Sequence, residues 1–214
     1  MRIKVWDWPT RIFHWLLVVL IAAAWWTGEN EDLTLHYQIG MTVLILVLFR
    51  IIWGFIGGST ARFAHFVKGP RAIAAYLRGA SPPAAGHNPL GALSVLALII
   101  MVALVDVLGL FATDHDGINP GPLATLVSQE ASDAAHELHE LTFNLLLALI
   151  AFHVAAILYY LVFRRDNLLG PMVTGSREAP EGVEPLRPAA WWRALIALFV
   201  AWAIAGWVWS GLSY

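Results

Sequence analysis

The chain has no cysteine and few charged residues for its length. Without cysteine it can form no disulfide, ligate no metal through a thiolate and attach no c-type haem covalently. Only 13% of its 214 residues are Asp, Glu, Lys or Arg, whereas 59% are hydrophobic. A soluble domain of this size does not carry so much apolar surface, so the composition indicates an integral membrane protein. The net charge of −2 comes from charges that are segregated along the chain, and we expect no nucleic-acid partner.

Several runs of about twenty apolar residues predict membrane spans. We predict five spans, over residues 9–28, 35–55, 90–112, 132–163 and 191–212. The fourth would be about 48 Å long, which exceeds the hydrocarbon core, and Ser132 before Asp133 predicts its N-cap. Eleven tryptophans, most of them near predicted span ends, are typical of membrane-interface anchors.

The cationic residues lie on one side of the predicted membrane. Lys and Arg occur before or at the start of the first span, after the second span, and between the fourth and fifth spans. The loop after the second span also contains Pro70, which predicts the start of a short interfacial helix. The charged residues of the loops on the opposite side are acidic: Glu29, Glu31, Asp32, Asp114, Asp116, Glu130 and Asp133. The positive-inside rule therefore predicts a cytoplasmic N-terminus and a periplasmic C-terminus.

Two histidines lie on one face of the fourth predicted span. His139 and His153 are fourteen residues apart, which places them about 40° apart around a helix and about 21 Å apart along it. Imidazole in hydrocarbon is unfavourable unless something binds it, so this spacing indicates two sites at two membrane depths.

For each of these two sites, another predicted span carries a second histidine at a matching membrane depth. His14 lies toward the cytoplasmic end of the first span, as His153 does on the fourth, and the two can bind an inner haem. His36 opens the second span at the outer face, near the depth of His139, and these two can bind an outer haem. One histidine near a helix end is commonly an interfacial hydrogen-bonding residue, but four matched in pairs predict bis-histidine haem ligation.

Three further polar residues each allow two interpretations. Arg50 lies fourteen residues after His36, and its guanidinium either binds a propionate of the inner haem or reaches the lipid headgroups. Asp106 is the only carboxylate well inside a span. It either relays protons or pairs near the outer haem, or it is a satisfied carboxylate near the surface. His87, at the start of the third span, either donates to a quinone headgroup or marks the helix entry.

Two further residues, His136 and Gly40, lie near the predicted outer site. His136 competes with His139 as a ligand, but its position seventeen residues before His153 turns it by about 100°, and we expect it to face elsewhere. Gly40 lies one turn after His36 and would let a flat ring approach closely, or it serves ordinary packing of small residues between helices.

The chain resembles the bacterial cytochrome b561 family, in the branch related to the b-type cytochrome subunit of nickel–iron hydrogenases. Several strings carry the resemblance in order, over about residues 5–175: LFRIIWGFIG, ARFAHFVKGPRAIAAYLRG, HNPLGALSVLALIIMVALVDVLGLFA, GPLA, HELTFNLLLALIAFHVAAILYYLV and NLLGPMVTG. The resemblance implies a four-helix transmembrane bundle holding two b haems in the bacterial inner membrane. It also implies electron transfer between a periplasmic redox partner and membrane quinone, and its ligand pattern falls on His14, His36, His139 and His153.

The fifth span departs from the usual four-helix pattern and contains no histidine, so we predict a peripheral C-terminal helix. The expected organisation is a dihaem cytochrome b domain over residues 1–175, a cytoplasmic linker over 176–190 and the additional helix over 191–214. The periplasmic partner could be a hydrogenase, a soluble c-type cytochrome or another dehydrogenase subunit, and the chain would be the electron-transfer component of an oxidoreductase.

Three alternative functions remain open at this point. A relative within the same family oxidises superoxide and passes the electrons to quinone. A divalent-metal transporter would use stacked histidines as a pathway, but it would need carboxylates beside them within the membrane, and none lies near His153. A plain membrane anchor for a partner subunit would need no cofactor at all.

Overall fold

Helices account for most of the described chain. The structure is a computed structural model that describes residues 1–80, 85–114, 117 and 119–211. In chain order the elements are β1 (Arg2–Lys4), α1 (Trp8–Glu29), α2 (Leu33–Ile56), α3 (Phe63–Phe66), α4 (Pro70–Leu77), α5 (Pro89–Phe111), a 3-10 helix (Ala124–Leu126), α6 (Gln129–Val162), α7 (Leu169–Thr174), β2 (Ser176–Glu178) and α8 (Trp191–Trp209).

Five helices, α1, α2, α5, α6 and α8, are long and apolar enough to cross a membrane. The prediction of an all-α, multi-pass membrane protein is therefore confirmed, and Pro70 does begin the short helix α4. Leu212, where the fifth span was predicted to end, and Asp116 of the acidic loop lie outside the described residues.

The first residues of the long helices are fixed by side chains that accept hydrogen bonds from the first turn. Asp7 Oδ1 accepts from Thr10 N at 3.0 Å to cap α1, and Asn88 Oδ1 accepts from Gly91 N at 2.7 Å to cap α5. The N-cap prediction for Ser132 is wrong, because α6 begins earlier and Ser128 Oγ accepts from Ala131 N at 3.3 Å. Ser132 is instead buried, and its hydroxyl donates to Phe111 O at 2.8 Å.

The described chain divides into two compact units. The first comprises residues 1–14, 50–97 and 149–195. In it β1 pairs with β2 in an antiparallel sheet, and the N-terminal amine donates to Ala179 O at 2.9 Å. Ile3 and Val5 form a buried cluster with Ala179 and Val183. Apolar residues of the segment 176–190, which was predicted to be a linker, thus pack against the N-terminal strand.

The second unit comprises residues 15–49, 98–148 and 196–214. On α8, Ala197, Ala201 and Ala205 are 0%, 0% and 1% exposed. Their spacing of four residues places them on one helix face, and small side chains there let helices approach closely. The loop after α5 is held by Gly121 N, which donates to Ala112 O at 2.8 Å, and by the Tyr37 hydroxyl, which donates to Asn119 O at 2.5 Å.

Candidate functional site

The rings of His36 and His139 lie close together within the second unit. Their ring centroids are 6.1 Å apart, and the ring planes make an angle of 79°. A bond between a first-row metal and an imidazole nitrogen is about 2 Å long, so two imidazoles on opposite sides of one metal have ring centres about 6 Å apart. The separation therefore fits two axial ligands of one haem iron.

Backbone carbonyls fix which nitrogen of each ring is available. His36 Nδ1 lies 2.9 Å from Ala24 O, and His139 Nδ1 lies 2.9 Å from Val105 O. A carbonyl can only accept, so each Nδ1 carries a hydrogen and each Nε2 keeps its lone pair. Histidines that bind metals are oriented in this way, with the second ring nitrogen donating to an oxygen acceptor.

Two glycines that sequence analysis missed make room for these rings. A Cβ added at Gly109 would lie 3.0 Å from Cε1 of His139, and one added at Gly28 would lie 3.5 Å from Cε1 of His36. A Cβ at Gly40, in contrast, would meet no described atom within 4 Å, as expected if a flat ring lies there. An isolated glycine inside the apolar pattern of α5 was the available signal for Gly109.

A cavity of about 420 Å³ within the second unit is lined by both His36 and His139. Its volume is within the range of small-molecule and cofactor sites. Gly40 and Tyr37 line it from α2, and Trp209 lines it from α8. The prediction that α8 is peripheral is thereby corrected in one respect, because this helix contributes a side chain to the wall of the cavity.

His136 and Asp106, both considered in the sequence analysis, also line this cavity. His136, which we expected to face away from His139, contacts Glu140 there, with Nε2 and Oε1 3.5 Å apart. Asp106 is also in the wall, and its Oδ2 is buried without a hydrogen-bond partner among the described residues. The interpretation of Asp106 as a satisfied carboxylate is therefore not supported.

The first unit brings together the other predicted site residues. His14 interacts electrostatically with His153, and His87 interacts with both and with Arg50. Arg50 is only 2% exposed, and its Cζ lies 5.1 Å from the ring centroid of Phe63. The guanidinium is thus buried among protein atoms, which contradicts the interpretation that it reaches the headgroups.

Arg50 still has unsatisfied hydrogen-bonding capacity. Its Nη1 is buried and has no hydrogen-bond partner among the described residues. The nearby carboxylate of Asp7 interacts with it electrostatically, but that carboxylate already accepts hydrogen bonds from Thr10 N and from Trp53 Nε1. A buried, unpaired cationic donor is costly, so the geometry calls for a further anion beside Arg50.

A comparison with known protein families identifies the family of the chain. A family model described as prokaryotic cytochrome b561 matches residues 5–175, which is most of the chain. The chain belongs to the prokaryotic cytochrome b561 family. It is a multi-pass membrane cytochrome b that takes part in electron transfer, and proteins of this family bind haem b.

Two relatives have the same similarity to this cytochrome. It is 25% identical over 210 residues to the probable Ni/Fe-hydrogenase 1 B-type cytochrome subunit of Escherichia coli strain K12, and the match covers 81% of this chain and 89% of the relative. The protein of the same name from Escherichia coli O157:H7 matches over the same lengths. The suspected branch of the family is thereby supported, although no solved structure shows a significant match.

His87 of the cytochrome is held between aromatic rings. Its ring centroid lies 4.7 Å from Trp6 and 5.0 Å from Phe66. Burial first, and then the positive charge of nearby Arg50, lower the pKa of His87 to about 3, so the imidazole is neutral at physiological pH. Its Nδ1 is buried and finds no hydrogen-bond partner in the part of the chain described. Asn88, and not His87, caps the start of α5.

A group of hydroxyl and amide side chains near His87 escaped sequence analysis. Tyr76 and Tyr160 share a hydrogen bond through their hydroxyls, and Asn88 Nδ2 donates to the Tyr160 hydroxyl at 3.3 Å. Burial and the hydrogen bond with Tyr160 raise the pKa of Tyr76 to about 12. Both the donor and acceptor functions of this group are thus preserved at physiological pH.

Proposed function

We propose that this cytochrome binds two b haems and transfers electrons between a periplasmic redox partner and membrane quinone. His36 and His139 would bind the outer haem, and His14 and His153 would bind the inner haem. The observation that carries the proposal is the close approach of the rings of His36 and His139, 6.1 Å between centroids, with both Nδ1 atoms donating to backbone carbonyls.

The chain orients the proposed ligands, leaves room for their rings and supplies a cationic side chain. When bound, haem b supplies one-electron redox chemistry at its iron. Ala24 O and Val105 O orient the two outer ligands, while Gly28 and Gly109 leave room for their rings. Arg50 lies in the same unit as His14 and His153, its buried Nη1 has no hydrogen-bond partner among the described residues, and a haem propionate would satisfy it.

The proposed periplasmic partner is a protein that presents a basic surface. The two relatives are named as hydrogenase cytochrome subunits, which supports a redox enzyme as partner, and a c-type cytochrome meets the same requirement. The second unit contains ten acidic residues and neither Lys nor Arg in its sequence, so it attracts a cationic surface and repels the superoxide anion. The positive-inside rule supports an inner-membrane orientation with this unit at the periplasmic face.

We propose that quinone reacts beside the inner site, at His87 and the Tyr76–Tyr160 pair. The neutral imidazole of His87 and the tyrosine hydroxyls can donate hydrogen bonds to quinone oxygens. The aromatic rings of Trp6 and Phe66 hold His87 in place. His87 thus fits the role of a quinone-site residue by its hydrogen-bonding capacity and by its interaction with His14 and His153.

Haem content and optical spectra test the two-haem proposal. The purified protein should contain two low-spin b haems, and His139→Ala and His153→Ala should each lose a different one. The matched control is His65→Ala, since His65 is exposed and should leave both haems. A protein that purifies folded but without haem, or retention of both haems in either ligand variant, would show the proposal to be wrong.

The quinone site is tested separately. His87→Phe preserves an aromatic ring between Trp6 and Phe66 but removes the imidazole donor, so haem content should stay at the wild-type level while the rate of quinone reduction falls at least tenfold. Equal rates in His87→Phe and wild type would exclude His87 from the quinone site.

A further inference from the structure

Asp106 places a buried carboxyl oxygen in the wall of the cavity at the outer site. The residue lies in α5 and lines this cavity of about 420 Å³ together with both proposed ligands, His36 and His139. Its Oδ2 is buried and has no hydrogen-bond partner among the described residues. A carboxyl group in such a position is costly as an anion unless a positive charge lies near it.

The second unit supplies no guanidinium or ammonium group to this carboxylate, because its sequence contains neither Lys nor Arg. Three histidines line the cavity. Those at 36 and 139 are held by backbone carbonyls with Nε2 left for iron, and His136 contacts Glu140 at 3.5 Å. The positive charge that remains is that of the proposed haem: with two neutral imidazole ligands, porphyrin and ferric iron together carry one net positive charge, which reduction removes.

The other ionisable side chains in the cavity wall are in contact with water or have polar partners. Glu29 and Glu140 are exposed, so water and salt screen their charge. Asp114 accepts hydrogen bonds from Asn119 N at 3.0 Å and from Asn119 Nδ2 at 2.7 Å. The Tyr37 hydroxyl donates to Asn119 O. The carboxyl group in α5 therefore responds most strongly to a change of charge within the cavity.

We propose that Asp106 takes up one proton when the outer haem is reduced and releases it when that haem is oxidised. The carboxylate balances the positive charge of the oxidised site, whereas the neutral carboxyl group is the form that burial favours once this charge is gone. The step adds one electron from the redox partner to the iron and one proton from water to a carboxyl oxygen of Asp106, so the net charge of the site is unchanged. Water can deliver the proton, because exposed Glu29 and Glu140 line the same cavity and bring it to the surface.

This proposal rests on the proposed function, because it requires a haem bound by His36 and His139. It adds a proton to the electron-transfer step at that haem, whichever neighbour supplies the electron. Reduction of the outer haem should become less favourable as the pH rises, because reduction then takes up a proton that is scarcer. Where the coupling is complete, the equilibrium constant for reduction changes tenfold per pH unit, which is about 59 mV.

Anaerobic optical redox titrations of the purified, haem-loaded cytochrome between about pH 5 and pH 9 test the proposal. The outer step is the one that His139→Ala removes. In the wild type its equilibrium constant should fall at least tenfold over this range, which is about 59 mV. Asp106→Asn keeps the size of the side chain but cannot take up the proton, and it should reduce the fall to less than threefold. Asp133→Asn makes the same change at an exposed position outside the cavity wall and should retain the wild-type fall.

Three results of these titrations would overturn the proposal. The first is an outer step that does not depend on pH in the wild type. The second is the same dependence in Asp106→Asn as in the wild type. The third is loss of the dependence in His136→Gln but not in Asp106→Asn, which would assign the proton to His136.

Infrared spectra decide the question if Asp106→Asn does not fold. The reduced-minus-oxidised spectrum of the wild type should gain the C=O band of a protonated aspartate, identified by a heavy carbon isotope in the aspartate carboxyl groups, and absence of this band would refute the proposal. A folded protein without haem would refute the proposed function as well. Two bound haems with no proton uptake at Asp106 would refute this proposal alone.

Discussion

Gly109→Ala is expected to weaken the outer haem site without weakening the fold. The new Cβ would lie 3.0 Å from Cε1 and 3.1 Å from Nδ1 of His139, whereas nonbonded carbon atoms prefer about 3.5–4.0 Å. The ring must therefore move by about 0.5 Å, which strains the bond from Nδ1 to Val105 O, 2.9 Å long. Loss of such an orienting contact lowers metal affinity about 10–100-fold.

We expect the same range for haem at this site, which corresponds to about 1.4–2.7 kcal/mol. Alanine is favoured over glycine inside a helix by about 1 kcal/mol, so unfolding should not become easier. The assay is the rate at which the variant loses haem to an excess of a haem-scavenging apoprotein, with the His153→Ala background used to isolate the outer site.

Gly206→Ala is the matched control for this substitution. Gly206 also lies in a helix, and a Cβ there meets no atom within 4 Å among the described residues. It should therefore leave haem loss unchanged. If Gly109→Ala loses haem no faster than Gly206→Ala, the position of His139 against α5 does not limit haem binding.

Three further predictions concern the cavity wall, pH and the start of α1. Trp209→Ala should accelerate loss of the outer haem, because Trp209 lines the cavity. The control Trp202→Ala, at an exposed position of the same helix, should leave the rate of haem loss unchanged. Equal rates of haem loss in the two variants would contradict the prediction. His87 is neutral when folded, with a pKa of about 3, but binds a proton below about pH 6.5 when unfolded. Its stability contribution is thus complete above pH 6.5 and falls by about 2 kcal/mol by pH 5, so thermal unfolding of His87→Phe should depend less on pH than that of wild type. Asp7→Ala should destabilise the protein by about 2–4 kcal/mol, because α1 loses its cap and the buried Trp53 Nε1 its acceptor; an unchanged melting temperature would refute that role.

Hydrophobic periodicity and histidine spacing predicted the features that follow from the position of a residue along its own helix. The five long helices follow from apolar runs, and the meeting of His36 with His139 follows from matched depth. Depth alone does not tell which way a side chain turns, however. His136 was expected to face elsewhere, yet it lines the same cavity, because the cavity extends over more than one face of α6.

The remaining features depend on contacts between segments that are distant in sequence. The carbonyls of Ala24 and Val105 orient the outer ligands, but every residue has a carbonyl, so nothing in the sequence marks these two. The pairing of Tyr76 with Tyr160 joins a short helix to α6 across 84 positions. Such pairs arise from tertiary packing, which local patterns do not encode.

The pairing of β1 with β2 has a consequence for biogenesis. Strand β1 is synthesised before all five long helices, but its partner at Ser176–Glu178 is synthesised after four of them. The first unit therefore cannot complete its fold until β2 has been synthesised. Because its histidines belong to that fold, a cofactor should bind there only late in synthesis. The amine of Met1 also donates to Ala179 O at 2.9 Å, so this pairing joins residues that lie 178 positions apart in the sequence.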